Sequence, residues 1–549
     1  MTTDPIVIIG GGFAGVYTAK FIRRRLPADV QIVLFSRENH VVFTPLLGNV
    51  VGSSINPMHV VWPVRQMLKN VNCRTAAVTD IDLANNQVHY QTAANMPASQ
   101  KFSHLILACG STVKLDIVPG MSAHGWPLKT MGDALVLRNH LIEILEQAQV
   151  EPDPNHRKKL LSVVVVGGGF SGVEVAGEIH DLLSTSCKFY SDINPADIRV
   201  TVLHRGPRLL PELPESLGEF TVAKMRARGI DVRLKSEAAA VTERAVLLKS
   251  GEEIPAATVV CTIGSAPNPL LCTTGLPMDK NRLKVDGLFR CEGRDNVWAL
   301  GDCALVPNAY DNQPSPPTAQ FAVRQAKWLA KNLRAMQRGR PMQPFYFKPL
   351  GAFASIGSRR AVGMAFGVRL SGFPAWFLWR GIYLAKMPTL ARKLQIAFDW
   401  FWQMLFPRDI VQLSLGQTER LPMAHFERGQ YVFRKGDPGD KLYIIESGRA
   451  GVYFKEDGEP VAILGPGDHF GEGALLSRRV RSASIRAEEP LDVLVLGQEA
   501  FTQLTNNCNV LRRAFEGVWG ERRRHVSSSM QEIVIAADDV ATPPGERVR

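Results

Sequence analysis

The chain lacks several features that commonly announce function. It has 8 cysteines in 549 residues, and none falls in a C-x-x-C pair. This excludes the common redox-active disulfide and the zinc sites built on that spacing, and it suits a reducing cytoplasm. No uncharged apolar run reaches the ~18 residues a membrane-spanning helix needs. No signal peptide is visible, because the first strand begins by Ile6. Acids are scarce in one stretch: residues 342 to 410 hold 9 Lys or Arg but only 2 Asp or Glu. The whole chain carries a formal charge of +12. The same stretch holds Trp376, Trp379, Trp400 and Trp402, four of the nine tryptophans. Basic residues mixed with Trp suit an anionic membrane interface better than a DNA groove, so no nucleic-acid partner is expected.

Hydrophobic content, 45%, is ordinary for a globular chain. The length allows about three or four domains. Glycine supplies the first positive signal. Val163 to Val166 read as a buried parallel strand, followed by Gly167, Gly169 and Gly172 at G-x-G-x-x-G spacing and an apolar helical run. The chain also opens this way, with Ile6 to Ile9 before Gly10, Gly12 and Gly15. Such glycines provide a tight turn, close backbone approach to a pyrophosphate and tight helix–strand packing. The helix N-terminus then offers free N–H groups to the phosphates. One such pattern would be weak. Two, about 160 residues apart, point to two nucleotide cofactors facing each other.

Both units lack the acid that often ends the second strand and holds a ribose. QIVLFS ends at Ser36, with Arg37 next; the serine can bond a ribose, less strongly than a carboxylate. IRVTVLH ends at His204, with Arg205 next. These two could welcome a 2′-phosphate, or Arg205 could simply point to solvent.

FTPLL, ILACGS, PLKTMGDALVLRNHL, the second glycine fingerprint and VWALGDCA at 297 to 304 occur in that order. Together they resemble the two-dinucleotide flavoproteins, and most closely the type II NADH:quinone oxidoreductases, from residue 1 to about 415. The resemblance implies an α/β fold with two Rossmann-like domains. FAD would be held by 1–115 with 265–345, and NADH or NADPH by 116–264. A helical membrane-anchor or dimer segment would span 346–415. The FAD contacts it implies are Gly10, Gly12, Phe13, Ala14, Gly15, Ser36, Arg37, Thr44, Val78, Gly110, Gly301, Asp302, Ala319 and Gln320. For NAD(P)H they are Gly167, Gly169, Phe170, Ser171, Gly172, Glu174, His204, Arg205 and Gly264. Glu174 would lie near the nicotinamide and isoalloxazine, and Gln320 near the flavin and quinone head, which makes these two the catalytic candidates. Two departures touch the quinone segment: Arg324, beside Gln325, stands where the family has a later glutamine, and Leu350 where it often has lysine.

Leu390, Leu394, Ala397, Phe398, Phe401 and Leu405 fall on one face at helical spacing, as in a helix lying in a membrane plane. From about 421 the chain turns to short β-branched and aromatic strands separated by Gly and Asp turns, which predicts a β-roll or barrel. FGEGALL followed by RRVRSAS resembles the phosphate cassette of cyclic-nucleotide-binding domains, here over 421–525. The resemblance assigns Glu472 to the ribose hydroxyl and Arg481 to the cyclic phosphate, with Gly471, Ala474, Ser482 and Ala483 beside them. Residues 508–525 would close the domain as a helix, and 526–549 form a polar, disordered tail.

The expectation is a peripheral FAD enzyme on the cytoplasmic face of the inner membrane, a homodimer passing electrons from NAD(P)H to quinone under control of a cyclic nucleotide, with cAMP the candidate. Its rivals are a sulfide:quinone reductase, a soluble NAD(P)H-acceptor reductase, and a nucleotide sensor with a weakly active flavin part.

Overall fold

The computed structural model describes residues 4–92, 96–412 and 423–497, apart from 350, 358, 366, 438, 440, 456, 457, 478 and 479. The expected closing helix and tail, and Leu350, lie outside these. The chain divides into one unit of Met1–Gln91 with Ala98–Leu415 and another of Thr92–Pro97 with Gly416–Arg549.

The first unit holds two parallel five-stranded sheets. β1 (Ile6–Ile9), β2 (Ile32–Ser36), β3 (Asn72–Thr75), β4 (His104–Leu107) and β10 (Val297–Ala299) pair in the order β10-β4-β1-β2-β3. The second sheet joins β5 (Gly125–Pro127), β6 (Ser162–Val166), β7 (Arg199–His204), β8 (Asp231–Leu234) and β9 (Thr258–Cys261) in the order β5-β9-β6-β7-β8. The apolar runs IVII and SVVVV are buried throughout, as expected where helices cover both sheet faces. β10 is distant in sequence from β4 but lies beside it. The first sheet is therefore closed by chain that returns after the second has been built.

Helices α1 (Phe13–Arg23), α2 (Leu47–Val51), α3 (Met131–Val150), α4 (Phe170–Ser186) and α5 (Ala319–Gln337) flank these sheets. An antiparallel sheet follows, from β11 (Gly351–Ser355), β12 (Ala361–Ala365) and β13 (Val368–Ser371). Then come α6 (Gly372–Lys386) and α7 (Leu390–Leu405). The described residues contain no helix long and apolar enough to cross a membrane.

The second unit has two antiparallel four-stranded sheets. One is β14 (Met423–Phe426), β21 (Leu491–Gly497), β16 (Lys441–Ser447) and β19 (His469–Phe470); the other is β15 (Tyr431–Phe433), β20 (Ser484–Ala487), β17 (Ala450–Tyr453) and β18 (Ala462–Leu464). Tyr443, Ile445, Ala450, Phe470, Ile485 and Leu491 form its core. Helix α8 (Glu472–Ser477) sits between β19 and β20 in sequence.

Candidate functional site

The carboxyl ends of the strands gather the first set of candidates, where open parallel sheets place their ligands. Gly10 follows β1 with φ +122°, and its N–H donates to the Phe35 carbonyl at 2.9 Å. A Cβ at Gly15 would sit 1.9 Å from the Gly10 carbonyl oxygen, so α1 packs against its own turn only because the residue is glycine. Gly12 differs: its backbone is extended, and a Cβ there would meet nothing within 4 Å. Nothing in the protein requires glycine at that position. An open space bordered by the free N–H groups of Phe13, Ala14 and Gly15 fits a pyrophosphate. Gly110, at φ +66°, borders similar open space after β4.

Ser36 is buried at the end of β2 and its hydroxyl lies over Gly11, while Arg37 and Thr44 are exposed and Val78 is half-buried. Gly301 and Asp302 follow β10. Gly301, at φ +76°, packs on Ala14 of α1, and its N–H donates at 2.8 Å to Oε1 of Gln325, a buried α5 residue. Gln325 ties α5 to the turn that presents Asp302, a role sequence reasoning missed because its neighbour Arg324 occupied the expected position. Arg324 is exposed and lies over the Phe347 ring at 5.4 Å. Asp302 is pushed above the usual carboxylate range by burial, with Lys129 and Arg282 opposing; the Lys129 ammonium stands 3.9 Å away. Ala319 and Gln320 begin α5, half-buried, behind the Thr318 cap.

The second turn repeats this construction. A Cβ at Gly172 would sit 1.9 Å from the Gly167 carbonyl oxygen, whereas one at Gly169 would meet nothing within 4 Å. Phe170 and the exposed Ser171 open α4, and Gly264, at φ +82°, packs over Lys114 after β9. His204 has a defined structural role. Its Nδ1 accepts from the Gly168 N–H at 3.2 Å, and burial, with help from Arg205, lowers its pKa. A ring that accepts from the backbone is neutral, so of the pair only exposed Arg205 offers a permanent charge.

Glu174 links α4 to the C-terminal segment. Its Oε1 accepts from the Ser355 N–H at 3.1 Å. Burial raises its pKa to about 8, with Glu178 adding and the Ser355 N–H and Trp379 opposing. Burial, with Glu174 adding, also raises the Tyr383 phenol. An aromatic path runs back to the first glycine turn: Tyr383 meets Phe43 at 5.7 Å, and Phe43 meets Phe13 at 5.6 Å. The catalytic candidate of one dinucleotide unit thus shares a wall with the phosphate loop of the other.

The basic–tryptophan stretch divides in a way its composition did not foretell. Trp376, Trp379 and Trp400 are buried, Trp379 packing on Trp400 and Arg380 lying against Trp376 and Trp400, and of the four only Trp402 is exposed. The indoles at 376, 379 and 400 are therefore core, not interfacial anchors. Leu390, Leu394, Phe398, Phe401 and Leu405 form the exposed apolar face of α7. Two of the cysteines, scattered in sequence, come together: the Cys303 thiol, which donates to the Leu107 and Leu300 carbonyls, neighbours Cys109 and with burial raises it.

In the second unit Glu472 and Arg481 are both buried. The Arg481 guanidinium donates to the Gly471 carbonyl at 2.9 Å and the Lys441 carbonyl at 2.8 Å and lies 4.1 Å over Phe433. Gly471 has φ +93°, and a Cβ there would strike Arg481 at 2.6 Å, so glycine is required. Ser482 is exposed, Ala483 half-buried, and Ala474 lies in α8.

Residues 4–326 match the pyridine nucleotide-disulphide oxidoreductase model, 350–409 the NDH2 C-terminal domain and 423–508 the cyclic nucleotide-binding domain. A probable NADH dehydrogenase of Dictyostelium discoideum is 30% identical over 417 residues, 74% of this chain and 91% of that protein. A type II NADH:quinone oxidoreductase of Mycobacterium tuberculosis is 30% identical over 422 residues, 72% of this chain and 87% of its own. The structure of NDH2 from Plasmodium falciparum in complex with NADH aligns with TM-score 0.70 at 21% identity, over 75% of this chain and all of that one. A sulfide:quinone oxidoreductase of Aquifex aeolicus shares the fold more distantly, with TM-score 0.54 at 16% identity over 73% of this chain and 91% of its own. The chain therefore belongs to the type II NADH:quinone oxidoreductase branch of the pyridine nucleotide-disulphide oxidoreductases, extended by a cyclic nucleotide-binding domain.

Proposed function

We propose that this chain oxidises NADH or NADPH and passes two electrons to a quinone at a membrane surface. The observation that carries the reading is Glu174, a half-buried residue whose carboxyl joins the nucleotide-side helix α4 to Ser355 of the C-terminal segment. FAD, when bound, supplies hydride acceptance and two-electron delivery. The turn at Gly10 to Gly15, with Gly301 and Asp302, would hold it; the turn at Gly167 to Gly172 would hold the nicotinamide nucleotide. Burial raises the Glu174 carboxyl to about 8, which suits it to hold a proton for the acceptor. Gln320 stands as the quinone-side candidate at the start of α5. The exposed face of α7 suits peripheral attachment to the cytoplasmic side of the inner membrane, with a homodimer as the assembly. Purified protein should oxidise NADH with a short-chain quinone as acceptor; a folded, FAD-loaded preparation that does not would overturn the reading. The Cys109–Cys303 contact favours one rival, sulfide oxidation, and turnover with sulfide but not NADH would select it.

The quinone half-reaction should slow as pH rises through about 8, where Glu174 loses its proton. Glu174→Gln should flatten that profile in single-turnover kinetics while leaving flavin bleaching by NADH in place; an unchanged profile would remove Glu174 from the proton path. The sign extends to stability. The unfolded chain releases this proton first, so the folded state loses stability from the ordinary carboxylate range up to about 8.

Arg205 sets nucleotide choice in this reading. A charge-assisted bond to a 2′-phosphate contributes ~1.5–3 kcal/mol, so Arg205→Ala should lower kcat/KM for NADPH relative to NADH by about tenfold or more. An unchanged ratio would make Arg205 a solvated surface residue.

The second unit binds a cyclic nucleotide, cAMP being the candidate, and modulates the enzyme. Arg481→Lys keeps the charge but loses the fork, and should weaken cAMP by about tenfold in calorimetry. No binding of cAMP or cGMP to the unaltered chain would remove the sensor. An ordinary coupling of ~1–3 kcal/mol predicts a several-fold change in quinone affinity. Binding with unchanged kinetics would remove the regulation.

A further inference from the structure

A cavity of about 380 Å³ lies beneath the C-terminal helices, and Ser355 and Trp379, which neighbour Glu174, stand in one of its walls. Its walls come from α2, the second half of α4, α6, α7 and residues 403–408. Two acids face it, and both already have partners. Arg408 donates to Glu178 at 2.7 Å and to Asp181 at 3.3 Å. Asp181 also takes Arg228, and Asn49 donates to Glu178 at 2.8 Å. Three further cations line the same space: Lys188, Arg359 and Arg380. The cavity is therefore net positive.

Arg380 is held rigidly between two indoles. Its guanidinium carbon lies 3.7 Å from the centre of the Trp376 ring and 4.7 Å from that of Trp400. Two indoles thus lie against the guanidinium, and its N–H groups are what it offers a ligand. Its Nε is buried with no hydrogen-bond partner among the described residues, and the Trp400 Nε1 in the same wall is in the same condition. A buried donor without an acceptor is destabilising. Burial lowers the Arg380 guanidinium to about 9; Glu178 opposes this, while Arg359 and Arg408 add to it. The position is short of negative charge.

The other end of the cavity is apolar. Met404, Leu405 and Phe406 line it, yet they are 43%, 62% and 47% exposed, so they continue onto the outer face of α7 with Leu394, Phe398 and Phe401. An anion beside Arg380 would have unbroken hydrocarbon-compatible surface beyond it. A free anion has no use for that surface. A phosphate carrying acyl chains does, and basic pockets beside membrane helices take such headgroups.

We propose that this cavity binds the phosphate of an anionic phospholipid, with Arg380 as the forked donor, Arg359 and Lys188 as supporting charges, and the acyl chains along Leu405 and Phe406. The inference rests on the membrane-surface reading, and its test separates the two. The FAD-loaded full chain in detergent is titrated with dihexanoyl phosphatidylglycerol, with its phosphatidylcholine counterpart and with inorganic phosphate. Tryptophan fluorescence reads occupancy, because Trp376 and Trp400 lie against Arg380. The expected result is saturable binding of phosphatidylglycerol, weaker binding of phosphatidylcholine, and about a tenfold loss in Arg380→Gln. If Arg380→Gln does not fold, Lys188→Gln with Arg359→Gln, which leaves the indole stack intact, should also weaken binding.

Equal affinity in the variants, no saturable binding, or equal binding of inorganic phosphate overturns the lipid site. A raised quinone KM for Arg380→Gln in lipid-free detergent would assign the cavity to the acceptor and overturn it as well. Flotation with phosphatidylglycerol vesicles tests the membrane reading separately. Failure to float alongside saturable short-chain lipid binding would remove the anchor and keep the site, and flotation without such binding would do the reverse.

Discussion

Gly12→Val is expected to yield a folded chain without flavin, and Gly15→Ala a chain whose first unit is itself disrupted. The two glycines share one turn, but different neighbours constrain them. At Gly12 the backbone is extended with φ −82°, which any residue adopts, and a Cβ meets nothing within 4 Å. Valine is therefore accepted by the protein and intrudes only on the space where a phosphate would approach the backbone. Losing two charge-assisted contacts of ~1.5–3 kcal/mol each would weaken FAD by about a hundredfold or more. At Gly15 a Cβ would stand 1.9 Å from a backbone oxygen, and α1 must shift off the first sheet. Overpacking of this kind typically costs ~1–3 kcal/mol, sometimes more. Flavin absorbance and thermal unfolding of the two variants measured together distinguish the cases. A yellow Gly12→Val protein with normal FAD affinity would remove Gly12 from the phosphate site.

Arg408→Ala should destabilise the first unit by about 3–5 kcal/mol, the range for breaking a buried ion pair from one side. Arg408 joins the segment after α7 to Glu178 and Asp181, whose side chains are each only 7% exposed. Without it Asp181 retains Arg228, and Glu178 retains the Asn49 amide as its one hydrogen-bond partner among the described residues. Glu178→Gln in the same background should recover part of the loss, since the stranded charge and not the missing contact carries most of the cost. Denaturant unfolding followed by flavin release gives the measurement. A loss below ~1 kcal/mol would mean that water reaches the cluster and screens it.

The dinucleotide turns were legible because their signal is local. A run of apolar β-branched residues followed by spaced glycines specifies strand, turn and helix within a dozen neighbours, and both turns stand at the carboxyl ends of parallel strands. Gln325 was not legible, because its function is to reach a backbone N–H 24 residues away. The state of His204 was also hidden. Its residue type permits a charged or a neutral ring, and the Gly168 N–H, 36 residues distant in sequence, selects the neutral one.

The basic–tryptophan stretch makes the same point in reverse. Composition identified an amphipathic segment, and the exposed row from Leu390 to Leu405 follows from helical spacing alone. Composition could not say which tryptophans face outward. That depended on where α6 packs against α7 and on Arg380 needing two aromatic faces. By itself, then, the order of residues determined the two glycine turns, the apolar face of α7 and the strand-and-turn pattern of the C-terminal unit, because each of these signals is set by near neighbours. Only the tertiary structure decided that burial raises the Glu174 carboxyl, that Arg408 closes on Glu178 across 230 residues, and that the Arg380 Nε has no hydrogen-bond partner among the described residues. Burial and charge pairing are properties of the assembled environment, and no single segment of the chain contains them.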